Sequence, residues 1–392
     1  MIPDGWSFRE LGSVCSKVTS GGTPSRKRPE YYGGEIAWVK TKELPDGYIE
    51  DTEEHLTQEG LASSSAKLLP PETILMAMYG ATVGKLGILT RSMACNQAAC
   101  ALIPNPKLVN YRFLFYRLVQ DRNRITSLAT GAAQQNLNAG MIKSASSLFP
   151  PLGEQNQIAE LLGAFDDLIQ TNRRIAADIL ELTRAVYAQV SARAEASVTL
   201  GSVAQANPEK RRPGAPEGSL NYLDIGSMTD CFIGDPSQMT WRDAPSRARR
   251  GASRGDVLWA TVRPNRRAHG LLARDIDDLV VSTGIAVLRP TSQPMSLVFS
   301  HTDSQRFVDL LVGRVDGSAY PAVKSADFLA VDIPDILGRD VEVFRRSIDP
   351  LWYAIGHLEK ESQSIARQRD ELLPLLMSGK VRVRDLKGRP EL

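Results

Sequence analysis

No stretch of this chain approaches the roughly 18 consecutive apolar residues of a membrane span, and its start, Met1-Ile2-Pro3-Asp4-Gly5-Trp6, has no basic region leading into an apolar run. A cytoplasmic protein, neither secreted nor membrane-spanning, is therefore expected. The four cysteines, Cys15, Cys95, Cys100 and Cys231, form no CxxC pair and have no histidine at ligand spacing. Reduced thiols are expected, without a disulfide framework and without a metal site. There is no GxxxxGK[ST] phosphate loop, which argues against ATP hydrolysis in this chain. His55, His269, His301 and His357 are scattered and none belongs to a recognisable triad motif, so no catalytic residue is expected.

What is present is more telling. A chain of 392 residues has room for two or three domains, and 42% apolar residues is ordinary for a globular protein. The net charge of +2 says little about partners, but its distribution says more. Between Arg242 and Arg274 nine arginines (242, 247, 249, 250, 254, 263, 266, 267, 274) face two aspartates (243, 256), and 9 − 2 gives a local +7. Such a patch reads as the footprint of a polyanion, with a solvated basic loop as the plain alternative.

The chain also repeats itself about 186 residues apart. Gly131-Ala132-Ala133-Gln134-Gln135-Asn136-Leu137 is followed by Pro150-Pro151 and an amphipathic stretch; Gly317-Ser318-Ala319-Tyr320-Pro321-Ala322-Val323 is followed by Ile333-Pro334 and another. Buried strands are predicted at 35–39, 73–78 and 98–103, with counterparts at 221–225, 256–260 and 285–288, and short helices at 111–120 and 304–312. Each copy is thus an α+β head followed by a long helix. Apolar residues at alternating three- and four-residue spacing mark the first helix: Ile158, Leu161, Phe165, Leu168, Asn172, Ile175, Ile179, Leu182 and Val186. Asn172 is the polar member that would fix register. The second seam runs Ile348, Leu351, Ile355, Leu358, Ser362, Ile365, Arg369, Leu372, Leu376, interrupted by Ser362 and Arg369. Asp349 is expected to cap this helix, with Pro350 in its first turn and Gly379 ending it.

The resulting division is a first head over 1–151, a spacer helix over 152–196, a second head over 197–346, a second spacer helix over 347–380 and a tail over 381–392. The predicted fold class is α+β: two heads in tandem pseudo-repeat, separated by a long antiparallel two-helix coiled coil. A first seam from Ile158 to Val186 would be about 43 Å long at 1.5 Å per residue, enough to bridge half-sites one duplex turn, about 34 Å, apart.

These residues resemble a known family. Pro3-Asp4-Gly5-Trp6 with Leu11-Gly12-Ser13-Val14, then Pro150-Pro151-Leu152-Gly153-Glu154-Gln155 with Ile158-Ala159-Glu160-Leu161-Leu162, and above all Leu372-Leu373-Pro374-Leu375-Leu376-Met377-Ser378-Gly379 are similar to the specificity subunit of type I restriction-modification enzymes. The resemblance implies a polypeptide without chemistry of its own. It would read a bipartite double-stranded DNA sequence, one half per target recognition domain, and dock two modification subunits that methylate adenine with S-adenosylmethionine. Restriction and motor subunits would add ATP- and Mg-dependent translocation and cleavage. The Asn/Asp-Pro-Pro-aromatic loop of an adenine methyltransferase is missing; Asn207-Pro208-Glu209-Lys210 lacks its second proline and its aromatic.

Base reading calls for amides, arginine forks and aromatics on loops, and phosphate contact for cations and hydroxyls. In the first head the candidates are Lys40, Thr41, Lys42, Tyr79, Lys85, Asn96, Gln97, Gln134, Gln135 and Asn136. In the second they are Arg263, Asn265, Arg266, Arg267, Tyr320 and Lys324; for any one of these residues, turn capping is the alternative. Two heads that differ at such positions suit an asymmetric target. The competing readings are a specificity subunit serving a methylation-only or phage-exclusion system, and a coiled-coil scaffold that binds protein.

Overall fold

The computed structural model describes residues 2–129, 136–314 and 322–386. The chain divides into two compact units, Met1–Asp167 with Ile365–Leu392, and Leu168–Ser364, so that each holds one head and part of both long helices.

In the first unit a five-stranded sheet has the order Cys15–Ser20, Ala99–Pro104, Ile74–Ala77, Leu86–Leu89, Gly47–Ile49, beside a three-stranded sheet His55–Leu56, Tyr32–Val39, Ala94–Cys95. Ile74–Ala77 is buried along its whole length, which is why it reads as an unbroken apolar run. The second unit repeats the plan. One sheet runs Ala204–Ala206, Ile285–Pro290, Val257–Ala260, His269–Leu271, and the other Ser237–Thr240, Ser219–Leu223, Leu279–Ser282, Ala248–Gly251. The registers agree as well: Ala77 pairs with Ala99 as Ala260 pairs with Ile285, and the parallel pair Trp38–Ala94 is matched by Tyr222–Val280. A short antiparallel pair closes each head, Ser7–Glu10 on Ser146–Phe149 and Ser197–Thr199 on Asp332–Pro334. The architecture is α+β, with the tandem pseudo-repeat expressed in the core strands; the first head adds Gly47–Ile49 at the edge of one sheet and the second adds Ala248–Gly251 at the edge of the other.

The predicted short helices are found at Tyr111–Thr126 and Gln305–Gly313. A further helix, Met295–Asp303, has no signature in the sequence, because all nine residues are buried and no polar face alternates with an apolar one.

The first long helix spans Leu152–Ser191 and the second Asp349–Ser378. Gln155 pins the start of the first to its head: its Oε1 accepts from Asn110 N at 3.1 Å and its Nε2 donates to Pro150 O at 3.0 Å. The predicted seam of this helix needs correction in every second position. Ile158, Asn172 and Ile179 are buried and Phe165 is packed against the core, but between them the buried residues are Leu162, Ile169 and Thr183. Leu161 is only partly buried, and Leu168, Ile175 and Leu182 are 52%, 40% and 47% exposed. Apolar pairs at 161–162 and 168–169 make two phases look alike in the sequence, and Thr183 decides between them. Its hydroxyl accepts from Trp352 Nε1 at 3.1 Å and donates to Ile179 O at 2.8 Å, which turns Leu182, about 100° round the helix, outward.

In the second helix Ile348, Ile355 and Leu376 are buried, while Leu351, Leu358, Ile365 and Leu372 are half-buried, as the spacing predicts. Its two polar interruptions are complementary to polar residues of the first helix. Within the second unit Asn172 Nδ2 donates to Ser362 Oγ at 3.2 Å and Glu361 Oε2 at 2.9 Å; within the first, Arg369 pairs with Asp166. Asn172 facing Ser362 and Thr183 facing Trp352 establish that the helices of the second unit run antiparallel.

The predicted cap is also corrected. Asp349 has helical dihedrals (φ −53°, ψ −42°) and follows the helical residues Arg339–Val343 and Phe344–Ile348, so it is not a helix start. Its carboxylate instead accepts from Ser296 N at 3.0 Å and from Ser296 Oγ, capping the Met295–Asp303 helix from outside. Gly379 ends the second long helix as expected, at φ +68° with its N–H on Leu376 O.

Candidate nucleic-acid interface

In both heads a 3₁₀ turn leaves the central strand, Gly80–Thr82 after Ile74–Ala77 and Pro264–Arg266 after Val257–Ala260. Beside each turn the repeated Gly-initiated motif docks through its last residue. Leu137 N donates to Met78 O at 2.9 Å and Val323 N to Thr261 O at 2.7 Å, and both side chains are buried. The last residue of the repeat thus docks against a turn at the same place in each head. Gln134, Gln135 and Tyr320 lie outside the described residues. Asn136 is exposed, and Lys324 is exposed at the start of the short helix Ser325–Leu329, where its N–H is taken by Asp327.

The first-head candidates converge. Lys40, Thr41 and Lys42 lead into a 3₁₀ turn (Thr41–Glu43) after Tyr32–Val39; Asn96 and Gln97 follow the adjacent parallel strand, with Asn96 N on Val39 O. Tyr79 Oη donates to Gln97 O at 2.9 Å, tying the Gly80–Thr82 turn to this pair. Lys85 and Gln97 are exposed, whereas Asn96 Oδ1 is buried and has no partner among the described residues. The two early lysines are not free cations. Lys40 pairs with Glu54 at 2.8 Å and Glu53 at 3.3 Å, and Lys42 with Glu53 at 2.6 Å. The second-head counterparts of these segments, the turn Ile225–Ser227 and the bend after Leu279–Ser282, were not picked out in the sequence. The shared register of their strands is the signal that reveals them.

At least four of the nine patch arginines are paired with acids from outside their own stretch. Arg242 pairs with Glu217, Arg254 with Asp275, Arg274 with Asp235 and Glu359, and Arg267 with Asp303 and Asp230. Arg250 donates to Ile285 O, and burial lowers its pKa. The local +7 therefore overstates the field. Asn265 and Arg266 remain exposed at the tip of the second turn, flanked by Arg263 and Arg267, which hold left-handed backbone at φ +53° and +52°. Strain of that kind persists only where surroundings enforce it, and it concentrates at functional sites.

Sequence spacing also missed a cluster. The fold gathers Asp230, Cys231, His269 and Asp303, with one ligand atom of each within 4.8 Å of the others, and Cys231 Sγ stands 3.7 Å from His269 Nε2. The chemistry suits paired charges better than a metal, because Arg184 and Arg267 already donate to Asp303 at 2.7 and 2.6 Å. Burial tends to raise the Asp303 carboxyl, but His269 and Arg184 more than offset it and hold the carboxyl well below the usual range. Burial and the neighbouring carboxylates push the Cys231 thiol up, so it stays protonated. Burial does the same to Cys15, Cys95 and Cys100, each to about 12.

Nearby, burial pushes His301 down to about 3. Tyr187, itself raised to about 12, keeps its proton and donates to His301 Nδ1 at 3.1 Å, while Nε2–H donates to Gln293 Oε1 at 3.0 Å. The unfolded chain binds a proton at this histidine below about pH 6.5 and the folded chain does not, so its stability falls as pH drops. The expected loss is about 1.4 kcal/mol between pH 7.5 and 5.5. Urea midpoints of the native chain and of His301→Phe check this: the variant should lack that part of the slope, and equal slopes would contradict the assignment.

The family model for the type I restriction modification DNA specificity domain matches residues 3–181. The match covers a little under half of the chain. The specificity domain so defined takes in the whole first head and most of the first long helix. Among curated relatives, the MjaIX specificity subunit of Methanocaldococcus jannaschii is 29% identical over 184 residues, 46% of this chain and 42% of that protein. The EcoR124I/EcoR124II specificity subunit of Escherichia coli is 25% identical over 167 residues, 41% of each. The matched stretch thus spans about two fifths of these relatives. The MjaVIII specificity subunit of M. jannaschii aligns over 98% of this chain and 95% of its own length at 21% identity. In fold, the crystal structure of the type I S subunit from M. genitalium matches with a TM-score of 0.56 and 16% identity over 95% of this chain and 96% of that one. Among the described residues no helix is long and apolar enough to cross a membrane.

Proposed function

We propose that this chain is the cytoplasmic DNA-reading subunit of a type I restriction-modification complex, each head addressing one half of a bipartite, asymmetric target. The observation that carries this is the repeated turn-and-loop site set in matching scaffolds but dressed with different side chains, Tyr79 to Lys85 in one head and Arg263 to Arg267 in the other. Equal scaffolds give equal placement on a duplex; unequal side chains give unequal half-sites.

The chain itself does no chemistry and binds no cofactor in this reading. S-adenosylmethionine, ATP and Mg belong to its partners, two modification subunits and the restriction and motor subunits. Leu168, Ile175 and Leu182, seven residues apart on the outward face of the first long helix, offer an apolar stripe on which a helix of a modification subunit can pack.

Arg266→Ala tests the site. With the modification subunits bound, the variant should lose about 1–3 kcal/mol of affinity for the cognate duplex if Arg266 reads a base, and lose affinity for cognate and scrambled duplexes alike if it holds phosphate. Unchanged binding to both would remove Arg266 from the interface, and a native complex with no sequence preference would overturn the function.

A further inference from the structure

The second head contains a charge cluster that the first head does not share. Asp303, at the end of the buried Met295–Asp303 helix, takes Arg184 Nε on one carboxylate oxygen at 2.7 Å; the other takes Arg267 Nη2 at 2.6 Å and lies 3.1 Å from His269 Nε2. Arg267 also donates to the Asp303 carbonyl at 2.8 Å, and its Nε lies 3.4 Å from Asp230. The Nε and Nη2 groups of Arg267 are thereby engaged within the protein. That sets it apart from Arg266, its exposed neighbour.

The pseudo-repeat supplies a control. Ala77 N bonds Lys85 O as Ala260 N bonds Ala268 O, which equates Gly84 with Arg267 and Leu86 with His269. The first head therefore puts glycine, at φ +81°, where the second puts a strained arginine at φ +52°, and leucine where the second buries a histidine. The first head builds the equivalent strand pair and turn with a different ion pair, Arg122 on Asp46, whose Oδ1 also accepts from Leu86 N. In the second, the left-handed residue that closes the Pro264–Arg266 turn is held by an ion pair to Asp303, and Asp303 is held by Arg184 on the first long helix.

We propose that Asp303 is a positioning residue for the second reading turn: through Arg267 it fixes the backbone that presents Asn265 and Arg266, and through Arg184 it ties that backbone to the first long helix. The inference rests on the DNA-reading function proposed above. Without the carboxylate, Arg267 has lost the partner that holds it in left-handed backbone, the turn relaxes, and Arg266 no longer meets its base in one geometry. A helix partner that shifts Arg184 would act on the same turn.

The test uses the full chain assembled with its modification subunits. Methylome sequencing reads the motif, and titration against duplexes scrambled in one half reads discrimination, the half addressed by the second head being the one that Arg266→Ala alters. Asp303→Asn should reduce discrimination at that half by roughly tenfold and leave the other half unchanged. Arg184→Met should act in the same direction but less, and Asp303→Glu, which keeps the charge, should restore part of the loss. Equal losses at both halves, or none, would overturn the proposal. Should Asp303→Asn not fold, Arg267→Ala, which removes the ion pair and is strained in left-handed backbone, should also lose discrimination at one half, and full discrimination in a folded variant would refute the positioning role. A native complex without sequence preference would sink the function and this inference together, whereas a discriminating native complex with indifferent variants would sink the inference alone.

Discussion

Asp121→Ala should destabilise the first unit by about 3–5 kcal/mol, the cost of stranding a buried charge. Arg117, only 6% exposed on the Tyr111–Thr126 helix, has Nη2 on Asp121 Oδ1 at 2.8 Å and Nη1 on Met377 O at 2.8 Å, while its Nε is buried and has no partner among the described residues. Burial lowers the Arg117 pKa, and the Asp121 charge works against that loss. Asp121 further accepts from Ser147 Oγ at 2.7 Å and Arg124 Nη2 at 2.9 Å, so its removal takes the acceptor from Arg117 Nη2 and the Ser147 hydroxyl, while Arg124 Nη2 keeps Ser147 Oγ. The pair also locks the last turn of the second long helix, whose Met377 carbonyl is available because the helix stops at Gly379. Urea unfolding measures the loss, and the double variant Arg117→Met with Asp121→Leu should recover most of it, because an apolar pair of similar volume carries no desolvation cost. A single-variant loss below about 0.5 kcal/mol would mean that the pair is solvated.

Trp352→Ala should cost the second unit about 3–5 kcal/mol. The indole is 3% exposed, packs against Phe299 with centroids 4.7 Å apart at 59°, and donates to Thr183 Oγ1 across the helix pair. Trp352→Phe keeps an aromatic ring but removes the donor, and should cost about 1 kcal/mol plus the smaller ring's lost packing. Hydrogen exchange resolved along residues 168–364 is the suitable readout, since the protection lost should lie in the helix pair and the Met295–Asp303 helix. Retained protection there would mean that Trp352 does not hold those elements together.

Much of this organisation was legible in the sequence because two kinds of signal survive without coordinates. Short unbroken apolar runs such as Ile74–Ala77 and Val257–Ala260, bounded by turn residues, read as buried strands, and they recur in order with their turns. The closing residues of the repeated motif, Leu137 and Val323, recur because both plug the same place. Other features depend on partners distant in the chain. The phase of the first long helix hangs on Thr183 meeting Trp352, 169 residues away, and Asp349 serves Ser296 rather than its own helix. The basic patch looked stronger than it is because its counter-charges, Glu217, Asp235, Asp275, Asp303 and Glu359, lie outside the stretch that was summed. The Asp303 cluster draws on residues from 184 to 303 and leaves no local trace.

Methylome sequencing of a host carrying this chain with its modification subunits, before and after exchange of residues 261–267 for another turn of equal length, tests the central claim most directly. The account predicts a single bipartite, asymmetric motif in which the exchange rewrites one half and leaves the other intact. A palindromic motif, no motif, or a change in both halves at once would contradict it.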